Sequence, residues 1–202
     1  MVMLSYEQRL ARLLTAAARV FAEKGYHPTS MRELSRETGM SLAGIYHYVV
    51  GKDELLYLIQ RRCFTQVLSG AESAVGDAKR PEERLERFIG HHITFFAGHM
   101  SEMKVLSHEA ESLQGERLEA INELKRRYVA LLTDLIKDAD GALRSEVDPH
   151  VASYALFGMM NWIYNWYDPT GPISPEALAE QFSRLFLHGL TAPSHTPVST
   201  EG

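Results

Sequence analysis

The chain has a single cysteine, Cys63, in 202 residues, which excludes an intramolecular disulfide and fits a reducing compartment. It has no apolar run approaching the ~18 residues of a membrane span. The opening stretch, MVMLSYEQRLARLL, is broken by charges from Glu7 onward and lacks the layout of a signal peptide. A soluble, cytoplasmic protein without a membrane partner is expected. Also missing are a G-x-S-x-G elbow, a glycine-rich phosphate loop and an H-E-x-x-H pair. No catalytic residue is assigned and no enzyme is expected, with an esterase-like pocket as a remote alternative. Nor does any segment alternate apolar and polar residues as a half-buried strand would.

What is present is ordinary globular material with an uneven charge. Apolar residues make up 45% and charged residues 23%, enough for a real core without a metal staple. Net charge is −5, but residues 1–62 hold nine Lys/Arg against six Asp/Glu, a net of +3. A mildly basic head on an acidic body is the asymmetry expected where only the head meets phosphates.

Helical spacing runs from end to end. Leu10, Leu13, Leu14, Ala17 and Phe21 form one stripe, closed by Gly25. Ser30-Met31-Arg32-Glu33 has capping-box spacing and opens a short second helix that stops at Gly39. Ser41 caps a third helix, expected through Tyr48. Lys52-Asp53-Glu54 then opens a long fourth helix whose stripe is Leu55, Ile59, Cys63 and Val67. Further helices are expected from Pro81 to about Gly98, around Met103–Leu113, from about Glu116 to Lys137, from Pro149 to near Tyr167, and from Ser174-Pro175 through Leu190. Asp138–Ala142 reads as a turn, and the Pro/Ser/Thr-rich tail 191–202 as disordered. The fold class is all-α: about nine helices, with a helix-turn-helix head over residues 1–52 and a helical-bundle body over residues 53–190 for ligand binding and dimerisation.

Helix, tight glycine turn and short helix over Thr29–Leu56 is the layout that places a second helix in the major groove of DNA. Met31, Leu34, Met40 and Ile45 hold the pair together, leaving Ser41, Leu42, Ala43, Tyr46 and His47 to face outward. Small and polar residues at the start of the third helix let its backbone approach base edges. Lys52 is placed to reach a phosphate.

The string G-M-S-x-A-x-I-Y-x-Y-V-x-G-K-D-E-L-L, Gly39 to Leu56, resembles the signature of the tetracycline-repressor (TetR) family, as does Phe21-x-x-x-Gly25-Tyr26-x-x-Thr29-Ser30-Met31. The resemblance implies that Thr29, Tyr46 and Lys52 bind phosphates of a double-stranded operator, with Ser41, Leu42, Ala43 and His47 nearest the bases. Three positions depart from the family pattern. Val49 stands where phenylalanine is usual, Leu42 where the residue is commonly polar, and Gly51 where serine caps the fourth helix. The last costs only a few tenths of a kcal/mol, roughly.

The resemblance also implies a homodimer through the last two helices, reading a palindromic site with recognition helices ~34 Å apart. Val151, Tyr154, Ala155, Gly158, Met159 and Trp162 form one apolar stripe there, and Leu178, Phe182, Leu185, Phe186 and Gly189 another. Such stripes can also close a monomer core. The string from Gly158 to Glu176 resembles the subgroup responsive to fatty acyl-CoA thioesters, which implies a small apolar effector held in the body. The candidate ligand-binding residues are Phe64, Phe88, Phe95, Tyr128, Phe157, Asn161, Tyr164 and Asn165, the polar ones to fix a thioester or amide. Arg117, Lys125, Arg126 and Arg127 are cations available for a coenzyme A moiety, though such a run also serves as a solvated helix face. A drug-like apolar effector is the alternative. No cofactor beyond the effector is expected. His91, His92, His99 and His108 include no i, i+3 or i, i+4 histidine pair, so they read as surface or core residues and no metal site is assigned.

Overall fold

The computed structural model describes residues 5–109, 111–143 and 147–189. Among them the chain forms nine α-helices and no strand. They are α1 (Tyr6–Lys24), α2 (Met31–Thr38), α3 (Leu42–Tyr46), α4 (Lys52–Gly76), α5 (Pro81–Ala97), α6 (Met100–His108), α7 (Gly115–Leu143), α8 (Pro149–Asn161) and α9 (Pro175–His188). A 3₁₀ turn, Trp162–Asn165, follows α8.

Local chemistry sets the ends of the head helices. Ser5 and Gln8 form a complete capping box on α1, and Gly25 ends that helix at φ 87°, donating its N–H to the Phe21 carbonyl. Ser30 caps α2 by accepting from the Glu33 N–H, and Gly39 closes it in the left-handed conformation. Ser41 accepts from the Gly44 N–H at 3.0 Å and starts α3. Gly51 offers α4 no side-chain cap, but Glu54 reaches back to accept from the Val50 N–H at 2.6 Å.

The apolar stripes sort into two cores. In the first, Leu13, Ala17 and Phe21 of α1 meet Leu34, Ile45 and Val49. The same cluster continues into Leu55, Leu56 and Ile59 of α4, and then Val105, Leu113 and Ile121. The head therefore closes its core only with body residues, and α4 is a structural part of both. The second core joins α4, α5, α7, α8 and α9 around Leu85, Phe88, Ile89, Ile93, Leu132 and Leu156. Helices α4 and α5 cross closely at Gly70, where a Cβ would lie 2.4 Å from the His91 ring. His91 Nε2 is 3.1 Å from the Val67 carbonyl, so that ring is held in place.

Several helix boundaries differ from the sequence reading. Helix α6 spans Met100–His108 instead of Met103–Leu113, because the chain leaves the helix at Glu109 and sinks Leu113 into the head core. Helix α9 ends at His188, closed by Gly189 at φ 70°. Helix α3 stops at Tyr46 rather than Tyr48, because the chain turns to sink Val49 into the head core at 2% exposure. Helix α7 runs unbroken through the expected turn at 138–142. Ala139 is fully buried and Asp138 accepts from Arg84 at 2.8 Å, which together outweigh the ~1 kcal/mol cost of a helical Gly141. Helix α8 ends at Asn161 and tightens into the 3₁₀ turn, which buries Ile163 and Tyr167; the Tyr167 hydroxyl donates to the Ile173 carbonyl at 2.8 Å. Residues 191–202, expected to be disordered, lie outside the described residues.

Candidate nucleic-acid interface and effector cavity

The third helix presents one outward surface. Ser41, Ala43, Tyr46 and His47 are exposed and Leu42 is half-buried, while Ile45 is fully buried beneath them. Tyr6 and Tyr48 back the helix, with ring centroids 4.8 Å apart, and the His47 ring lies 5.2 Å from that of Tyr48. Lys24 bridges α1 to α2, bonding Glu33 at 2.8 Å and Glu37 at 3.0 Å. These contacts raise the Lys24 pKa and lower both carboxylates.

Thr29 and Lys52 are placed differently from the other candidates. Thr29 is 1% exposed and its hydroxyl donates to the Gly25 carbonyl, so its side chain shapes the α1–α2 turn instead of facing outward. Lys52 Nζ donates to the carbonyls of Tyr26 and His27 at 2.9 and 3.0 Å and sits 4.5 Å above the Tyr26 ring. The Tyr26 hydroxyl in turn donates to Asp53. Lys52 thus pins the start of α4 to the turn before α2.

In the body, a cavity of about 480 Å³ opens between α4, α5, α6, α7 and α8. Phe64, Tyr128, Phe157 and Asn161 line it, as the sequence suggested. The other four candidates do not. Phe88 is fully buried in the core, its ring 5.1 Å from that of Tyr128. Phe95 stacks on His99 at 4.2 Å. The Tyr164 hydroxyl pairs with His108 Nε2 at 3.2 Å, and Asn165 is exposed.

Lining residues that the sequence reading missed come from α5, α6, α7 and α8: His92, Phe96, Met103, Leu106, Ser107, Val129, Tyr154 and Gly158. His92 is 1% exposed, with Nδ1 3.0 Å from the Tyr128 hydroxyl and Nε2 without a hydrogen-bond partner. Burial pushes its pKa down to about 3; neighbouring His91 adds to the shift, and the Asn161 side chain, close enough to act as a hydrogen-bond partner though in poor geometry, opposes it. The signal was there: a histidine in phase with Phe88 and Phe96 on an apolar stripe.

Of the four cations considered for a charged ligand, Lys125 alone lines the cavity. Its Nζ lies 5.6 Å from the Phe64 ring centroid, and burial lowers its pKa against the pull of Glu111. Arg126 is held by Glu119 and Glu123 at 2.6 and 2.8 Å, Arg127 by Glu72 at 3.3 Å, and Arg117 lies over Tyr57. A groove of about 460 Å³ shares Lys125, Val129 and Tyr154 with the cavity and adds Arg126, His150 and Lys137, the last paired with Asp134 at 3.3 Å. A larger open cleft of about 810 Å³ lies elsewhere, between α1, α4 and the start of α6. It lacks aromatic walls apart from His99, and Arg62 there donates to the Ala11 carbonyl. Among the described residues no three His, Cys, Asp or Glu side chains converge on a possible metal site, and no helix is long and apolar enough to cross a membrane.

A chain of polar contacts joins the end of α6 to the head. Past the end of α6, the Glu109 carbonyl accepts from Gln60 of α4 at 2.9 Å. The Glu109 carboxylate accepts from the Ser112 hydroxyl at 2.6 Å, and that hydroxyl lies 3.2 Å from His27 Nε2. His27 is the residue whose carbonyl Lys52 holds.

A helix-turn-helix head, tied by one long helix to an all-helical body with an aromatic-walled cavity, defines the class of ligand-responsive DNA-binding regulators. The chain belongs to the tetR family of bacterial regulatory proteins: residues 13–57 match that family, and residues 78–190 match the tetracyclin repressor-like C-terminal domain. It is 30% identical to the TetR family transcriptional regulator PfmR from Thermus thermophilus, whose structure superposes with a TM-score of 0.82 over 90% of this chain and 100% of that one. It is 31% identical to AibR, solved in complex with isovaleryl coenzyme A and operator DNA, at a TM-score of 0.79 over 89% and 98% of the two chains. It is also 23% identical to the HTH-type transcriptional repressor KstR2 of Mycobacterium tuberculosis over 91% of this chain and 93% of that one. The protein is a TetR-family transcriptional regulator.

Proposed function

We propose that the protein is a dimeric repressor that holds a palindromic operator and releases it when an acyl-CoA thioester fills the body cavity. The observation that carries the effector class is the cavity itself. Its walls are aromatic and aliphatic, its rim holds Lys125, and it adjoins a groove with Lys137 and His150. That combination suits an acyl chain inside and an anionic carrier outside. The 31% identical AibR binds isovaleryl coenzyme A.

At the DNA, Ser41, Leu42, Ala43 and His47 are proposed to lie nearest the bases and Tyr46 to meet a phosphate. Lys52 and Thr29 act there mainly by fixing the turn that carries α2. Dimerisation is proposed through α8, the 3₁₀ turn and α9, where Val151, Trp162, Trp166 and Leu185 are 61%, 59%, 53% and 39% exposed.

Release works by population shift: the effector must favour a body whose two heads no longer match the half-sites. The fourth helix, running from Lys52 in the head to Phe64 in the cavity wall, is one lever. The Glu109–Ser112–His27 contacts add α6 as a second route, since Met103, Leu106 and Ser107 of α6 line the cavity.

The test is calorimetry with coenzyme A thioesters from isovaleryl to palmitoyl, paired with operator binding in their presence. Saturable binding that weakens the DNA complex supports the reading. Absence of binding across the series contradicts it and directs the search to other apolar effectors.

A further inference from the structure

Among the described residues, His92 Nε2 is the buried polar atom on the cavity lining that no well-formed hydrogen bond satisfies. Among the described residues the Tyr128 hydroxyl has a single hydrogen-bond partner, His92 Nδ1 at 3.0 Å. The hydroxyl brings one proton, and a buried proton of that kind needs an acceptor. His92 Nδ1 is the acceptor within reach, so Nδ1 carries no proton of its own. A neutral imidazole then bears its proton on Nε2. Burial keeps the ring neutral, holding its pKa near 3. Nε2–H is thus a buried donor that no acceptor meets in good hydrogen-bond geometry; the Asn161 side chain is its nearby polar partner, and His92 and Asn161 both line the aromatic cavity. Leaving such a group unpaired is costly, and native interiors rarely do so without a reason.

We infer that His92 Nε2–H is the hydrogen-bond donor for a carbonyl oxygen of the effector, so that the cavity selects neutral acyl compounds, esters or thioesters, over saturated chains. The inference rests on the cavity being the effector site, as proposed above. Three features choose a carbonyl. It accepts without bringing a proton that needs a further acceptor, as a hydroxyl would. It carries no net charge, whereas a carboxylate beside a neutral imidazole would place an anion in a low-dielectric site. And a thioester carbonyl joins a buried acyl chain to an anionic carrier, while His92 and Lys125 line the same cavity. Asn161, also on the cavity wall, is the neighbouring amide available to the same oxygen. Tyr128 is a positioning residue: its hydroxyl sets the tautomer that turns the donor toward the ligand.

The test pairs two ligands that differ in the one oxygen. The acyl-CoA that binds most tightly in the chain-length series is compared with the S-alkyl-CoA thioether of equal length, by calorimetry on the full chain. The unmodified protein is expected to prefer the thioester by about tenfold, the scale of one buried hydrogen bond. His92→Leu is expected to abolish that preference, and His92→Gln, which keeps an N–H donor, to retain part of it. Equal binding of the two ligands by the unmodified protein overturns the inference while leaving acyl-CoA as effector. So does a preference that survives in a folded His92→Leu variant. If that variant does not fold, the two-ligand comparison on the unmodified protein decides. Failure of both ligands to bind removes the effector reading and the inference with it.

Discussion

Lys52 Nζ donates to the carbonyl oxygen of Tyr26 at 2.9 Å while lying 4.5 Å above the ring of the same residue. One side chain therefore joins the start of α4 to the end of α1, across the base of the reading head. With the second bond to His27, this clamp makes the orientation of α2 and α3 depend on where α4 begins. The proposed switch uses this clamp to carry a movement of α4 to the turn that precedes α2.

Replacing Lys52 by Ala is expected to lower head stability by about 1–2 kcal/mol, the scale of a charged hydrogen bond and a half-buried cation–π contact. Thermal melting measures that loss. Operator affinity should fall as well. The salt dependence separates the two roles: a direct phosphate contact changes the slope of log affinity against log salt by ~1, and a pure clamp leaves it unchanged. The geometry predicts an unchanged slope.

The path through Glu109 makes a different prediction. Glu109 accepts from Ser112, whose hydroxyl is near His27, and its backbone accepts from Gln60. None of these groups lines the cavity. Glu109→Gln should therefore bind effector as the unmodified protein does, yet lose several-fold of the effect of that ligand on operator affinity. Such couplings typically span about 5–150-fold. Parallel titrations of effector and DNA read both quantities, and an unchanged coupling argues against this path.

His92 gives the protein a pH signature. The unfolded chain takes up a proton at this residue near the ordinary pKa of 6.5, and the folded chain not until about 3. Between those values the unfolded state binds more protons, so stability falls as pH falls. The contribution is at most about 1.4 kcal/mol per pH unit from this one group. Denaturant unfolding at intervals from pH 7 to 5 should show a shallower decline in His92→Gln than in the unmodified protein.

The uncovered apolar residues predict the quaternary state. Val151→Glu combined with Trp162→Glu places two carboxylates on the proposed interface, at positions 61% and 59% exposed in the isolated chain. The fold should survive, because neither side chain belongs to the buried core. Light scattering should report a monomer where the unmodified protein is a dimer, with binding to a palindromic operator weakened and binding to a half-site retained.

The helices, their caps and the head surface were legible in the sequence because each depends on neighbours in the chain. Ser30, Gly39 and Ser41 act within four residues of their own positions, and their roles hold wherever the helix is packed. The cavity was only half legible. Aromatic content singles out both Phe64 and Phe88, and periodicity does not tell a cavity wall from a filled core. What separates them is which helix stands opposite and how far away, and that is fixed by contacts between α5, α7 and α8. The unbroken α7 has the same origin: Asp138-Ala-Asp-Gly looks like a turn until Arg84 and a buried Ala139 hold it helical. The clamp made by Lys52 was not legible, because the carbonyls it bonds belong to residues distant in the chain.

The most direct test of the account is operator affinity measured on the upstream region of the protein's own gene, with and without a saturating acyl-CoA, at low and moderate salt. A dimer is expected to bind tightly, with affinity weakened at least several-fold by the thioester. Affinity that stays unchanged while the thioester is bound contradicts the proposed switch. No binding even at low salt, where phosphate contacts are strongest, contradicts the assignment of that region as the operator.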